Sequence, residues 1–236
     1  MAAVALPAQR SASPTWRRLK EALRRHPTAI AGALVLILMI LIALLAPWLG
    51  TVDPQAVSPI KRLKPPSDQY WFGTDMLGRD VYSRVVFGAR VSLAVGLAVA
   101  FFSTLVGLAI GLVTGYVRWL DAIVMRIMDG FMSIPSVLLA IALMALTTAS
   151  IQNVVIAITL AEVPRVVRLV RGLVLTLREE PFVEAAIATG ARLPVILTRH
   201  ILPNMVAPLL VQATYVCASA MITEAILSFI GAGTPP

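Results

Sequence analysis

Glu184-Ala185-Ala186-Ile187-Ala188-Thr189-Gly190, running on to His200-Ile201-Leu202-Pro203-Asn204, lies between two apolar runs in a segment too polar to sit in lipid. Pro181 and Pro194 each suit the first position of a helix, where no amide hydrogen is needed, and Gly190 suits a left-handed helix end. The segment 178–206 therefore predicts a short helix, a turn and a second short helix. Glu184 falls in the first turn of the first helix, where the helix dipole favours an acid. Ala185, Ala186 and Ala188 leave that helix so little bulk that a partner surface can approach closely.

The composition around this stretch sets the class. Of 236 residues, 58% are hydrophobic and 14% charged, with a mean hydropathy of +0.86, whereas a soluble domain is about half apolar and a quarter charged. The chain reads as an all-α polytopic membrane protein. Its net charge of +8 is not gathered into a basic face interleaved with aromatics, so a nucleic-acid partner is not indicated. Cys217 has no second cysteine to pair with and reads as a small packing residue.

Outward from the central stretch, residues 1–27 form a basic cytoplasmic tail with an interfacial helix expected over Trp16 to Arg25. Residues 28–50 are almost wholly apolar, and about 20 residues suffice to cross a bilayer core of about 30 Å. No A-x-A site closes this run, so an uncleaved anchor is expected rather than a signal peptide. Residues 51–90 turn polar and carry Trp71-Phe72-Gly73-Thr74-Asp75, Gly78-Arg79-Asp80 and Ser83-Arg84. Gly73 and Gly78 bracket a tight turn, and the aromatics suit a membrane interface. Residues 91–116 form the second span. Ser103, Gly107, Gly111 and Gly115 recur every four residues there, a small-residue stripe that admits a neighbouring helix from this chain or another subunit.

A polar turn with Asp121, Arg126 and Asp129 precedes a third span over 130–149, with Pro135 kinking its first turns. Ser150 to Asn153 reads as a tight external turn. A fourth span starts near Val154 and is invaded by Glu162, Arg165, Arg168 and Arg171; Glu162 and Arg165, three apart, are placed to pair. Ala207 to Ile230 makes a fifth span holding Glu224. Buried charge of this kind is costly in a membrane, and Glu224 has two open explanations, an arginine or backbone partner in another subunit, or the substrate path. With the N-terminus cytoplasmic, 14 basic residues lie inside and 6 outside, all six in 51–90, in keeping with positive-inside bias. There is no G-x-x-x-x-G-K-[ST] loop for ATP, no metal-ligand spacing, and no hydrolase arrangement around His26 or His200. The chain is expected to be no enzyme and to hold no cofactor or metal.

The central stretch resembles the EAA loop of permease subunits in bacterial ABC importers: Glu-Ala-Ala, three residues, Gly, nine residues, Ile-x-Leu-Pro. Glu184, Ala185, Ala186, Gly190, Leu202 and Pro203 fall at that spacing, while His200 takes the Ile position as a contact or capping residue beside Asn204. The order Gly-Thr-Asp, Gly-Arg-Asp, Ser-Arg from Gly73 to Arg84 looks like the segment before the second span in the dipeptide and oligopeptide branch, in the subunit usually called C. The resemblance implies a type I importer permease fold in the bacterial inner membrane. It also implies a homologous second permease, two ATP-binding subunits docked on the Glu184 helix and hydrolysing ATP, and an external substrate-binding protein. Peptides or nickel complexes are the implied substrates. Members of that branch continue past Leu227-Ser228-Phe229-Ile230-Gly231 into a sixth span that this sequence lacks, so a truncated chain is expected. Two other classes compete: an ion-driven carrier using Glu162 and Glu224, and a membrane scaffold for an ATPase that transports nothing.

Overall fold

The computed structural model describes residues 27–148, 150–231 and 233. The basic tail and its expected interfacial helix fall outside them. The described chain is helical, with one isolated antiparallel bridge between Thr74 and Asp80.

Helix α1 (Pro27–Leu45) ends in a 3-10 turn over Ala46–Trp48. Only Ala43 and Ala46 of this stretch are buried, and Leu34 through Leu38, Leu41 and Leu44 stand open. A helix apolar all round and covered only near its end needs lipid as its solvent. Helix α2 (Val81–Tyr116) has 36 residues, about 54 Å at 1.5 Å per residue. It begins ten residues before the expected second span because Asp80 caps it, accepting from the Ser83 amide at 2.9 Å and the Ser83 hydroxyl at 2.5 Å. Arg84 and Arg90 disfavour lipid but not helix, so the polar segment expected over 51–90 ends in helix.

The small-residue stripe of α2 meets helix α5 (Ile151–Leu177) of the same chain. A β-carbon added at Gly107 would lie 2.5 Å from the Val166 side chain, at Gly111 2.6 Å from Val170, and at Gly115 2.6 Å from Val174. Both partners advance by four, so the helices run parallel and nearly in register at backbone distance. Residues 51–80 and 178–192 therefore sit at opposite ends of the bundle. The last helix, α7 (Leu193–Phe229), runs antiparallel: Ser92 meets Glu224 and Gly96 abuts Met221. Val95, Val99, Ile158, Val166, Val170, Met205 and Val216 form the shared core.

Three expectations are corrected between α2 and α5. The polar turn is a 15-residue helix, α3 (Arg118–Met132), and the third span is not one helix. Ser133 to Pro135 break it from helix α4 (Ser136–Ala145), and the two axes meet at 85°. Pro135 takes an extended ψ of 132°, which stops the helix rather than bending it. The tight turn expected over Ser150–Asn153 also shifts. Ser150 caps α5, receiving the Asn153 amide at 3.2 Å, so Ile151–Asn153 is already helix.

Three helices, α1, α2 and α7, are long and apolar enough to cross a membrane, four if the bent α3–α4 pair counts as one span. Helix α5 is excluded by its charges. It is nonetheless central, with Val154, Ile158, Glu162, Val166, Val170 and Val174 buried along one side, so that side packs against other helices.

Candidate functional site

Helix α6 (Pro181–Ala188) hangs between α5 and α7 with proline in its first turn and Glu184 among its first residues. Its end is closed twice: the Gly190 amide donates to Ile187 O at 2.9 Å and the Ala191 amide to Ala186 O at 3.0 Å. This pair of bonds defines a Schellman cap, and it requires Gly190 at φ +81°. Val183 and Ala186 turn inward, while Glu184, Ala185, Ile187 and Ala188 are exposed. Of the expected alanine surface, Ala186 is thus on the packing side.

The expected second short helix does not exist as a separate element. The chain re-enters helix at Leu193 and continues to Phe229, widening to a π-helix over Ile196–Ile201 just before Pro203. Pro203 has no amide hydrogen to give to the preceding turn, and the wider turn accommodates that loss. His200 lies half-buried in it, its carbonyl accepting from Asn204 Nδ2 at 2.6 Å. Leu202 is half-buried, and Pro203 and Asn204 are exposed. All the named residues of this segment therefore gather at one end of the bundle, beside the turn between α2 and α3, where Arg178 Nη1 donates to Gly115 O at 3.4 Å.

At the opposite end, residues 50–80 fold over the start of α2 as a cap. Gly73 and Gly78 both adopt φ +73°. Thr74 accepts the Lys64 amide at 2.8 Å and donates to Lys61 O. Asp75 is the hub, receiving the amides of Leu77 at 2.8 Å and Arg79 at 2.9 Å and the side chains of Arg79 at 2.8 Å and Arg84 at 2.7 Å. Ser83 accepts from the Val52 amide at 2.9 Å, and Tyr82 donates to Leu49 O at 3.0 Å while packing against Trp71 and Phe72. The motif residues thus hold each other and tie α1 to α2.

Burial acts most strongly on Asp75 and raises its pKa, yet the Arg79 amide and side chain, the Leu77 amide and Arg84 together outweigh it and hold the carboxyl well below the usual carboxylate range. A depressed folded-state pKa gives stability that is present above the unfolded value and lost as pH falls through the folded one. In a variant whose other tryptophans, Trp16, Trp48 and Trp119, are replaced by phenylalanine, the fluorescence of Trp71 should therefore stay constant from neutral pH down to about pH 4, near the ordinary aspartate value, and change only in stronger acid. Asp75→Asn should loosen the cap at neutral pH by roughly 1–3 kcal/mol, the usual worth of hydrogen bonds to a charged group.

The intramembrane acids are both partnered. Glu162 receives Arg165 Nη1 at 2.7 Å and the Ser219 hydroxyl at 3.3 Å. Glu224 receives Ser92 at 3.2 Å and Ser228 at 2.8 Å, so its partners include residues of this chain. An ion-driven carrier would need such carboxylates open to a travelling ion. Glu162 is 1% exposed and Glu224 5%.

Arg171 makes a two-pronged pair with Asp121, one contact at 2.7 Å, and Arg168 pairs with Asp129 at 2.5 Å. The three-residue spacing of the arginines showed that they share a face of α5. That α3 faces them was hidden, because α3 read as a turn.

Residues 85–236 match the family described as binding-protein-dependent transport system inner membrane component. Residues 14–66 match the N-terminal transmembrane domain of oligopeptide transport permease C. A probable peptide ABC transporter permease, y4tQ of Sinorhizobium fredii, is 54% identical over 212 residues, 90% of this chain and 72% of the relative. The dipeptide transport permease DppC of Alkalihalophilus pseudofirmus is 42% identical over 230 residues, 95% of this chain and 74% of the relative. Among solved structures, an inward-facing MetNI methionine ABC transporter superposes with a TM-score of 0.57 at 25% identity, covering 64% of this chain and 76% of that one.

Proposed function

The chain belongs to the family of binding-protein-dependent transport system inner membrane components, and on that footing we propose that it conducts peptides, driven by ATP-binding subunits that dock on α6. It is a multi-pass membrane permease subunit of an ABC transporter. The finer reading assigns peptides as substrate, supported by relatives named as peptide and dipeptide permeases. It also assigns a homologous second permease, two ATP-binding subunits and an external binding protein. The N-terminus is then cytoplasmic, which puts the α6 end in the cytoplasm and the Asp75 cap outside.

The observation that carries the coupling role is the build of α6. It is a separate two-turn helix, fixed at its far end by the Gly190 cap and rooted in the bundle by Val183, with Glu184, Ala185 and Ile187 exposed. A partner that moves it moves α5 and α7 together. Uptake of a labelled peptide into proteoliposomes holding the complete transporter should require ATP and the binding protein and persist when ionophores collapse the ion gradients. Uptake that stops with the gradients while ATP is maintained would contradict it.

A further inference from the structure

Arg165 stands 14 residues from the start of α5 and 12 from its end, about 20 Å from either at 1.5 Å per residue. Its ion pair is lopsided: the Glu162 side chain is 1% exposed and the Arg165 side chain 37%. A pair serving only to cancel charge inside a bundle would close over both partners. Here one guanidinium edge is held by Glu162, and among the described residues no other acceptor takes the rest of its five N–H donors. The guanidinium lies over the Tyr215 ring of α7, 5.3 Å from its centroid, which fixes its plane.

Gln212, Tyr215 and Ser219 share a face of α7 by their three- and four-residue spacing, and Ser219 binds Glu162 from it. On that face the Gln212 Nε2 group is buried with no hydrogen-bond partner. A half-open cation and an unsatisfied amide donor thus border one seam between α5 and α7. Exposed charge at this depth is costly against lipid and belongs on a polar path. A planar guanidinium with donors to spare suits a carboxylate.

We propose that the open edge of Arg165 receives the C-terminal carboxylate of the peptide as it passes along the exposed side of the α5–α7 seam. The assignment rests on the peptide reading above. Glu162 then has a positioning role: it neutralises the pair and aims the guanidinium, while Tyr215 keeps its plane.

The test uses the complete transporter in proteoliposomes, with a labelled tripeptide and its C-terminally amidated form, each at saturating binding protein. Glu162→Gln with Arg165→Gln removes both charges together and leaves no orphaned acid. This double variant should lower kcat for the free-acid peptide roughly tenfold, the scale of one lost charge-assisted hydrogen bond, with KM little changed. The amide should already be slow in the wild type and fall no further, as a cycle removing either partner requires. Arg165→Lys should retain part of the rate. Equal losses for both peptides, or none for the acid, would overturn the assignment. So would loss of the second permease from the purified variant complex, which would make Arg165 a subunit contact. A wild-type complex that carries neither form would overturn the peptide reading itself, a failure seen before any variant is compared.

Discussion

Gly190→Pro should abolish transport while the protein still inserts and assembles. Proline holds φ near −65°, against the +81° that closes α6, and it has no hydrogen to give Ile187 O. Both bonds of the cap are then disturbed, and strain of roughly 1–3 kcal/mol falls on the one turn that orients α6 towards α7. The nearest effect is therefore on the angle of α6 rather than on the bundle. No atom lies within 4 Å of where a Gly190 β-carbon would be, so crowding is not the cause of the loss. Gly190→Asn separates conformation from size: asparagine tolerates the left-handed region and should keep most of the transport. Glu184→Lys should act without deforming anything, because the side chain is exposed and only the sign of charge near the helix start is reversed. Peptide uptake and ATPase rate, read together in proteoliposomes, distinguish uncoupling from loss of protein. Normal uptake by both Gly190→Pro and Glu184→Lys would remove α6 from the mechanism.

Gly111→Leu should have the largest effect on the fold. In a membrane, helices gain little from burying apolar surface, and close backbone approach supplies the attraction instead. At Gly111 even a β-carbon would stand 2.6 Å from the Val170 side chain and 3.0 Å from Val167 O. Backbone cannot yield as a flexible side-chain tip can. Gly111→Ala is expected to cost about 1–3 kcal/mol, the scale for overpacking a tight core, and leucine more, forcing α2 from α5. Membrane extracts of the leucine variant should show little intact protein, and those of Gly32→Leu near-normal amounts, since nothing lies within 4 Å of Gly32. Accumulation of Gly111→Leu at wild-type level would show that the α2–α5 contact is not what holds the bundle.

The parts of this architecture legible in the sequence are those written in local spacing. The four-residue recurrence from Ser103 to Gly115 predicted a close helix contact, and the Gly190 cap and the Glu162–Arg165 pair each need only neighbours a few positions away. What spacing could not reveal was the partner. That Val166, Val170 and Val174 fill the glycine stripe, or that Ser92 meets Glu224 across 132 positions, depends on how helices pack. Helix α3 was missed for a related reason: Asp121, Arg126 and Asp129 suggested a turn, yet Asp121 and Asp129 are the acids that Arg171 and Arg168 hold. In the second half of the Glu184 segment Pro194 starts a helix as its position predicts, and only the expected short length fails. Proline in a first turn starts a helix, and a π-turn over Ile196–Ile201 lets α7 run through.

The cap shows the same division. Gly73, Thr74, Asp75, Gly78, Arg79, Asp80, Ser83 and Arg84 were recognisable as a group, but their work is mutual support. Asp75 binds Arg79 and Arg84, and Asp80 caps α2.

The central claim is that α6 is where an ATPase pushes, and a crosslink from that helix tests it most directly. Ala185 is exposed whereas Ala186 is buried, so a single cysteine at Ala185, in a Cys217→Ser background, presents its thiol outward. In native membranes a bifunctional thiol reagent should join it to a P-loop ATPase, with a cysteine placed at Asp68 in the cap giving no such product. Labelling of the Ala185 cysteine from the external side, with no ATPase captured, would contradict both the orientation and the coupling role.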